Sequence, residues 1–152
     1  MSISLRPAVV ADCAALSDVV FRSKQSNGYD DAFMDACRAE LTITARTLAQ
    51  TQLWVAEDNG VLLGCAALDM QPNNSGEVSL FFVDPNVQGR GVGRMLWSTI
   101  FRLAHQNGFK TLELSADPNA VGFYAKQGFV EIGSTPSGSI KGRRLPKMQL
   151  TL

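Results

Sequence analysis

The stretch Glu77 to Arg94, Glu-Val-Ser-Leu-Phe-Phe-Val-Asp-Pro-Asn-Val-Gln-Gly-Arg-Gly-Val-Gly-Arg, holds the residue types best suited to chemistry. Gly89, Gly91 and Gly93 fall within five residues, directly ahead of an apolar segment with helical spacing. Without Cβ atoms the backbone there can approach a ligand closely. The first N–H groups of the following helix have no internal partner and carry the positive end of its dipole. This arrangement attracts phosphate, and Arg90 and Arg94 can add charge-assisted contacts. Two common phosphate sites are excluded by spacing. Gly93-Arg94-Met95 lacks the Gly-Lys-Ser/Thr closing of a P-loop, and the three glycines are out of register with Gly-x-Gly-x-x-Gly.

Gln88, Gly91 and Gly93 do match the pattern Gln/Arg-x-x-Gly-x-Gly/Ala, preceded by a strand ending in Val83-Asp84-Pro85. One helix and one strand further on, Asn119-Ala120-x-x-Phe123-Tyr124-x-x-x-Gly128-Phe129 forms a second frame. In this order the two motifs resemble the GNAT N-acetyltransferase superfamily, and the resemblance runs from Ile3-x-x-Arg6-Pro7 to the last strand. It implies acetyl-CoA as acyl donor, held where the fourth and fifth strands splay apart. Backbone around Phe81, Phe82 and Val83 would pair with the pantetheine arm, and Gln88, Gly89, Arg90, Gly91, Val92, Gly93 and Arg94 would wrap the pyrophosphate. A backbone N–H near Val83 would serve as oxyanion donor. Many relatives carry an asparagine seven residues before the tyrosine, where this chain has Asp117, while Asn119 lies five before it. Either is open as a cofactor contact.

Acyl transfer from a thioester to an amine moves two protons: the ammonium must lose one before attack, and the departing thiolate must gain one. Tyr124 matches the family's tyrosine acid, and a phenol of ordinary pKa ~10 can protonate a thiolate whose acid sits near ~8.5. Glu77, eleven residues before Gln88, has the spacing at which some relatives carry a catalytic glutamate. It lies ~20 Å along an extended strand from Val83, so a water relay to the amine is expected. Glu113 is the rival base, and an exposed strand-end carboxylate is the plain alternative for Glu77. His105 and the three cysteines are not expected in the chemistry, so the amine attacks directly in a ternary complex.

These groups need elements to hold them. Ile3 to Arg6 reads as a strand, and Asp12 as the cap of a helix bearing Leu16, Val19 and Val20. Asp30 or Asp31 caps a second helix through Phe33, Met34, Cys37 and Leu41, continued or bent through Leu48. Leu53 to Glu57 and Val61 to Leu68 form a hairpin about Asp58-Asn59-Gly60. After the loop 72–76 comes the strand that Glu77 starts. Val92, Met95, Leu96, Ile100 and Leu103 make the helix behind the glycine turn, ended by Asn107-Gly108. Thr111 to Ser115, Ala120 to Lys126, Phe129 to Ile132 and Leu145 to Leu152 then read as strand, helix, strand, strand. The expected fold is a single α/β domain over residues 1–152, with a mixed sheet of about six to seven strands flanked by helices.

The chain of 152 residues is 45% hydrophobic and 18% charged, which fits a globular protein and not a disordered one. Fourteen basic residues balance fourteen acidic ones, which gives no general reason to bind nucleic acid or an anionic membrane. Cys13, Cys37 and Cys65 show no disulfide or zinc spacing, and no metal is expected. No apolar run approaches the ~20 residues of a membrane span, and a cytoplasmic protein is expected. The acceptor is expected to be an amine of a small molecule or peptide, met by the loop 23–31 with Tyr29 and by the segment 137–144. Lys141, Arg143, Arg144 and Lys147 form a basic cluster that could welcome an acidic acceptor. A homodimer is open. The other classes are an acyl-CoA sensor without turnover and a structural subunit associating through the Phe81-Phe82 strand.

Overall fold

Leu62 to Leu68 is buried throughout, as a strand covered on both faces must be, and the sheet is built outward from it. The computed structural model describes residues 2–152. Its elements are β1 (Ser4–Pro7), α1 (Cys13–Gln25), α2 (Asp31–Leu41), α3 (Ala45–Gln50), β2 (Gln52–Asp58), β3 (Val61–Gln71), β4 (Ser75–Val83), α4 (Val92–Gln106), β5 (Thr111–Ser115), α5 (Val121–Lys126), β6 (Val130–Pro136) and β7 (Arg144–Thr151). The seven strands form one sheet in the order β1-β2-β3-β4-β5-β7-β6. All neighbours are antiparallel except β4 and β5, which run parallel. The β2–β3 hairpin closes with Asn59 at φ 49° and Gly60 at φ 81°, the two left-handed residues that its tight turn requires.

Helices cover both faces. Leu16, Val19 and Val20 of α1 and Met34 and Cys37 of α2 pack with Val55, Cys65 and Ala67 on one side of the sheet. On the other, Val92, Leu96, Ile100 and Leu103 of α4 pack with Ala66, Leu68, Val78 and Leu112. The mixed seven-stranded α/β sheet agrees with the fold expected from sequence.

Four local expectations are corrected. Asp12 stands at the start of α1 without capping it, because Arg6 takes its carboxylate at 2.8 and 3.0 Å and the Val9 N–H donates to it at 2.8 Å. The second helix does not continue to Leu48. The β-branched run Thr42-Ile43-Thr44 interrupts it, and the Ile43 N–H donates across to Ser17 Oγ of α1 at 2.9 Å. Asp30 is the cap of α2, accepting from the Phe33 N–H at 2.8 Å. The sixth strand runs to Pro136, and β4 begins at Ser75, so Glu77 is its third residue.

Gly64 sits at the crossing of β3 and β4. A Cβ built there would lie 2.6 Å from the carbonyl oxygen of Phe82, a backbone atom held in the ladder. Gly64→Ala is therefore predicted to lower stability by about 1–3 kcal/mol, the usual scale of a forced overpacking. Chemical denaturation reads this directly, and an unshifted midpoint would show that β4 can move aside.

Candidate active site

The parallel pairing of β4 with β5 covers three positions, Ser75↔Thr111, Gly76↔Leu112 and Glu77↔Glu113, and then ends. β5 stays paired with β7 to Ser115, while β4 stays with β3 to Val83. In β4 the register steps over Ser79, an extra residue that bends a strand and increases its twist. Ser79 Oγ donates to Asp69 on β3 at 2.9 Å. Beyond the bulge, the Phe81 ring stands 5.4 Å from Phe123 and 6.2 Å from Tyr124, both on α5. The strands thus open a wedge with α5 across it.

Asp84 fixes the end of β4. Its N–H donates to the Leu63 carbonyl at 2.8 Å, and its carboxylate accepts from the Asn86 N–H at 3.0 Å and from Arg22 at 2.7 Å. Burial pushes this carboxyl up, but those hydrogen bonds outweigh it and hold it below the ordinary range. The glycine turn follows, with Gly89 at φ 82° and Gly91 at φ 84°. The first helix-forming bond of α4 runs from the Met95 N–H to the Gly91 carbonyl at 3.1 Å. The amides of Val92, Gly93 and Arg94 lie ahead of it, at the positions where a helix leaves its N–H groups unpaired. Arg90 and Arg94 are exposed. A cleft of about 320 Å³ lies here, lined by Phe81, Val83, Val87 to Gly89, Gly91 to Gly93, Ala120, Phe123 and Tyr124; Phe82, Arg90 and Arg94 do not line it. A Cβ on Gly93 would point into it, 3.8 Å from Val83 Cγ2 and 4.0 Å from Phe123.

A second cleft, similar in volume at about 310 Å³ but wider, with a longer lining that runs from Ser23 of α1 and Glu40 of α2 to Leu145 of β7, opens toward α1 and α2. The two share Phe81, Gln88, Ala120 and Tyr124, so their junction is Tyr124 and its neighbours. Tyr124 is buried, and its phenol is pushed up, first by burial and then by the charge of Asp117. It stays neutral throughout the physiological range.

Glu77 lines neither cleft. It lies half-buried on the sheet, beside Asp69 in the β3 register and Glu113 in the β5 register. Burial, then Asp69 and Glu113, raise its carboxyl, and Lys147 partly offsets them. Glu113 accepts from Gln149 at 3.2 Å and has Lys147 at 3.5 Å.

Sequence reasoning missed a polar cluster on the wider cleft. Asp117 accepts from Lys24 Nζ at 2.6 Å and from the Tyr29 hydroxyl at 2.8 Å, and Arg143 donates to that hydroxyl at 2.7 Å. The Asn119 N–H and side-chain amide both donate to Asp117 Oδ1 at 2.9 Å. Burial opposes ionisation of Asp117, but the bonds from Lys24, Asn119 and Tyr29 overcome it and hold the carboxyl well below the ordinary range. Asn119 lines neither cleft. The only local signal was Asp117-Pro118, which marks a turn, since Lys24 lies 93 residues away along the chain. Tyr29 stands behind the cleft wall and braces it. His105 is exposed at the end of α4, edge-on to Phe101 at 4.6 Å. Cys65 is buried, its thiol pushed up by burial to about 12, and Cys37 is buried at the wider cleft.

A family model described as "Acetyltransferase (GNAT) domain" matches residues 20–152. The chain is 33% identical to the peptidyl-lysine N-acetyltransferase YjaB of Salmonella typhimurium over 79% of each chain. It is 30% identical to the L-amino acid N-acyltransferase MnaT of Escherichia coli, covering 98% of this chain and 94% of that protein. Among solved structures, the PaiA N-acetyltransferase of Thermoplasma acidophilum in complex with coenzyme A shares the fold. It has a TM-score of 0.82 at 20% identity, with both chains fully covered. The putative acetyltransferase YncA of Salmonella typhimurium with acetyl-CoA aligns at a TM-score of 0.70 and 25% identity, over 99% of this chain and 94% of that one.

The raised carboxyl of Glu77 carries a sign. A folded-state pKa above the unfolded value means that ionised Glu77 destabilises the fold, beginning as pH rises past its ordinary 4.5 and complete above the folded value. Glu77→Gln is predicted to raise the melting temperature at pH 7, with the gain fading as pH is lowered toward 4. A lower melting temperature at pH 7 would mean that the ionised carboxylate is stabilised here after all.

Proposed function

Because the chain belongs to the GNAT acetyltransferase family, we propose that it moves the acetyl group of acetyl-CoA to the primary amine of a small molecule or peptide, both substrates being bound together. The observation that carries this reading is the junction of the two clefts at Tyr124, one bordered by free helix-start amides and an unpaired strand edge, the other by polar walls. The groove residues fit the donor: an apolar floor of Phe81, Val83 and Phe123 suits the pantetheine chain, and Gln88, Gly89 and Gly91 to Gly93 suit the pyrophosphate, with the exposed Arg90 and Arg94 on the same turn free to reach it. Backbone of β4 through Phe82 offers the edge beside them. Asn119 is not assigned to the donor, since its amide is engaged by Asp117. Acetyl-CoA supplies an activated acyl group. A β4 N–H near Val83 would stabilise negative charge on its carbonyl oxygen.

The amine must shed a proton to attack, and the C–N bond forms as the C–S bond breaks. Tyr124, kept neutral by burial, gives its proton to the departing sulfur. Glu77 takes up the amine's proton through water along the β4–β5 face, with Glu113 as the other carboxylate on that face. The raised carboxyl of Glu77 brings it nearer to neutral pH, which suits a base. The full burial of Cys65, whose thiol is pushed up by it, supports direct transfer without an acyl-enzyme at that residue. A cytoplasmic setting, where acetyl-CoA is available, belongs to this reading. Among the described residues no helix is long and apolar enough to cross a membrane.

Release of free thiol from acetyl-CoA across a panel of amines tests the reaction, and donor binding with no turnover would leave only a sensor. Two substitutions test the parts. Gly93→Ala removes a poor helix former from the first turn of α4, so stability should rise by up to about 1 kcal/mol, while a methyl group in the donor groove weakens acetyl-CoA binding. Calorimetric affinity equal to that of the parent protein would remove the pyrophosphate assignment. Tyr124→Phe keeps the ring against Phe81, Phe123 and Phe129, so its effect belongs to the hydroxyl. The expected result is a fall in kcat of ~10²-fold with little change in the acetyl-CoA dissociation constant. A near-normal kcat would make Tyr124 a packing residue.

A further inference from the structure

The basic residues of the β6–β7 region do not act as a cluster. Lys141 is exposed, Arg144 donates to the Oγ and carbonyl oxygen of Ser134 at 2.8 and 3.0 Å, and Lys147 lies by Glu113. Arg143 alone reaches the wider cleft. Its guanidinium lies 5.3 Å over the Tyr29 ring and 4.9 Å over Phe33, two rings themselves stacked at 4.0 Å. The Nη2 group donates to Tyr29 and stands 3.7 Å from Asp117, while Nε and Nη1 have no hydrogen-bond partner among the described residues. Lys24 shares the same carboxylate, so two cations stand against one anion at this end of the cleft. The other carboxylate on the lining is Glu40 of α2, which accepts from Ser139.

We propose that Arg143 binds the carboxylate of the acceptor, and that the acceptor is therefore a free amino acid. The inference rests on the transfer reading above and names its substrate class. A guanidinium fixed by stacking and mostly withdrawn from water, with its side chain 19% exposed, presents planar donors that match a carboxylate. Little conformational freedom remains to be lost on binding, and the interaction is screened less than on an open surface. The whole lining holds Lys24 and Arg143 against Asp117 and Glu40. A cleft balanced in this way offers little to a strongly anionic acceptor and suits a zwitterion. A lysine side chain within a peptide brings no carboxylate to the same place.

The test is the kinetics of thiol release with matched acceptors: an L-amino acid, its carboxamide, the corresponding decarboxylated amine, and a short lysine-containing peptide blocked at both ends. The free acid should exceed the other three in kcat/KM by about tenfold or more, mainly through KM, the scale of one charge-assisted contact. In Arg143→Gln the ratio of acid to carboxamide should collapse toward one, and in Arg143→Lys part of it should return. Comparing ratios cancels any general damage from losing the Tyr29 contact, and the parent protein's own preference needs no variant at all. A carboxamide or blocked peptide used as well as the free acid overturns the proposal and leaves acetyl transfer standing. Donor binding with no turnover of any acceptor overturns both.

Discussion

The structure depends on the early end of the β4–β5 ladder. Backbone N–H and C=O groups in a sheet need partners, and a parallel pair that stops after Glu77↔Glu113 leaves the inner edge of β4 without its neighbour. The bulge at Ser79 makes the divergence local, since the strand on its other side stays in register with β3 up to Val83. The position of the next segments is set by that strand end. Asp84 ties it to Leu63 and Arg22, the glycine turn starts from that anchor, and α4 points its first amides toward the opening. α5 closes the far side through the contacts of Phe123 and Tyr124 with Phe81. The cleft at the glycine turn, the proposed donor groove, is thus the part of the sheet left incomplete.

The wider cleft, the proposed acceptor side, is held by a different device. Asp117 gathers Lys24 from α1, Tyr29 from the loop after it, and Arg143 from the β6–β7 connection, three segments with no backbone pairing to one another. Lys24 and Asp117 are each 13% exposed at the side chain, and for so withdrawn a pair desolvation consumes much of the attraction. Its value lies in placement. With one carboxylate as common partner, the walls of the wider cleft are fixed relative to the turn that leads into α5 and Tyr124.

How much of this was legible depends on the range of the interaction. The glycine turn, the Phe-Tyr-x-x-x-Gly-Phe frame and the order of strands and helices are local patterns, and each stands where the spacing put it. The break at Thr42-Ile43-Thr44 was not legible as a full stop, because Ser17, which takes the Ile43 N–H, lies on another helix. Asp12 looked like a cap for the same reason: the competing claim of Arg6 arrives through the fold of β1. Nor could composition show that Arg143 separates from Arg144, since adjacent residues on an extended segment leave it in opposite directions, or that Lys147 is taken by Glu113 on the neighbouring strand. Glu77 and Glu113 were visible as carboxylates on neighbouring strands, but their pairing across the last rung of the ladder belongs to register.

Two groups here work against stability. Gly93 weakens the first turn of α4, and Glu77 ionises between Asp69 and Glu113. A scaffold selected only for folding has no use for either, and departures of this kind mark sites where chemistry is done. Burial acts on Glu77 and on Tyr124 alike, with opposite consequences for proton transfer. In the proposed reaction, the raised Tyr124 phenol would hold its proton until sulfur departs. The raised Glu77 carboxyl would bring a weak base toward the pH at which an ammonium loses its proton. One withdrawal from water thus suits Tyr124 to the part of the acid and Glu77 to that of the base, and its cost to the fold falls on the carboxylate, since the phenol stays neutral.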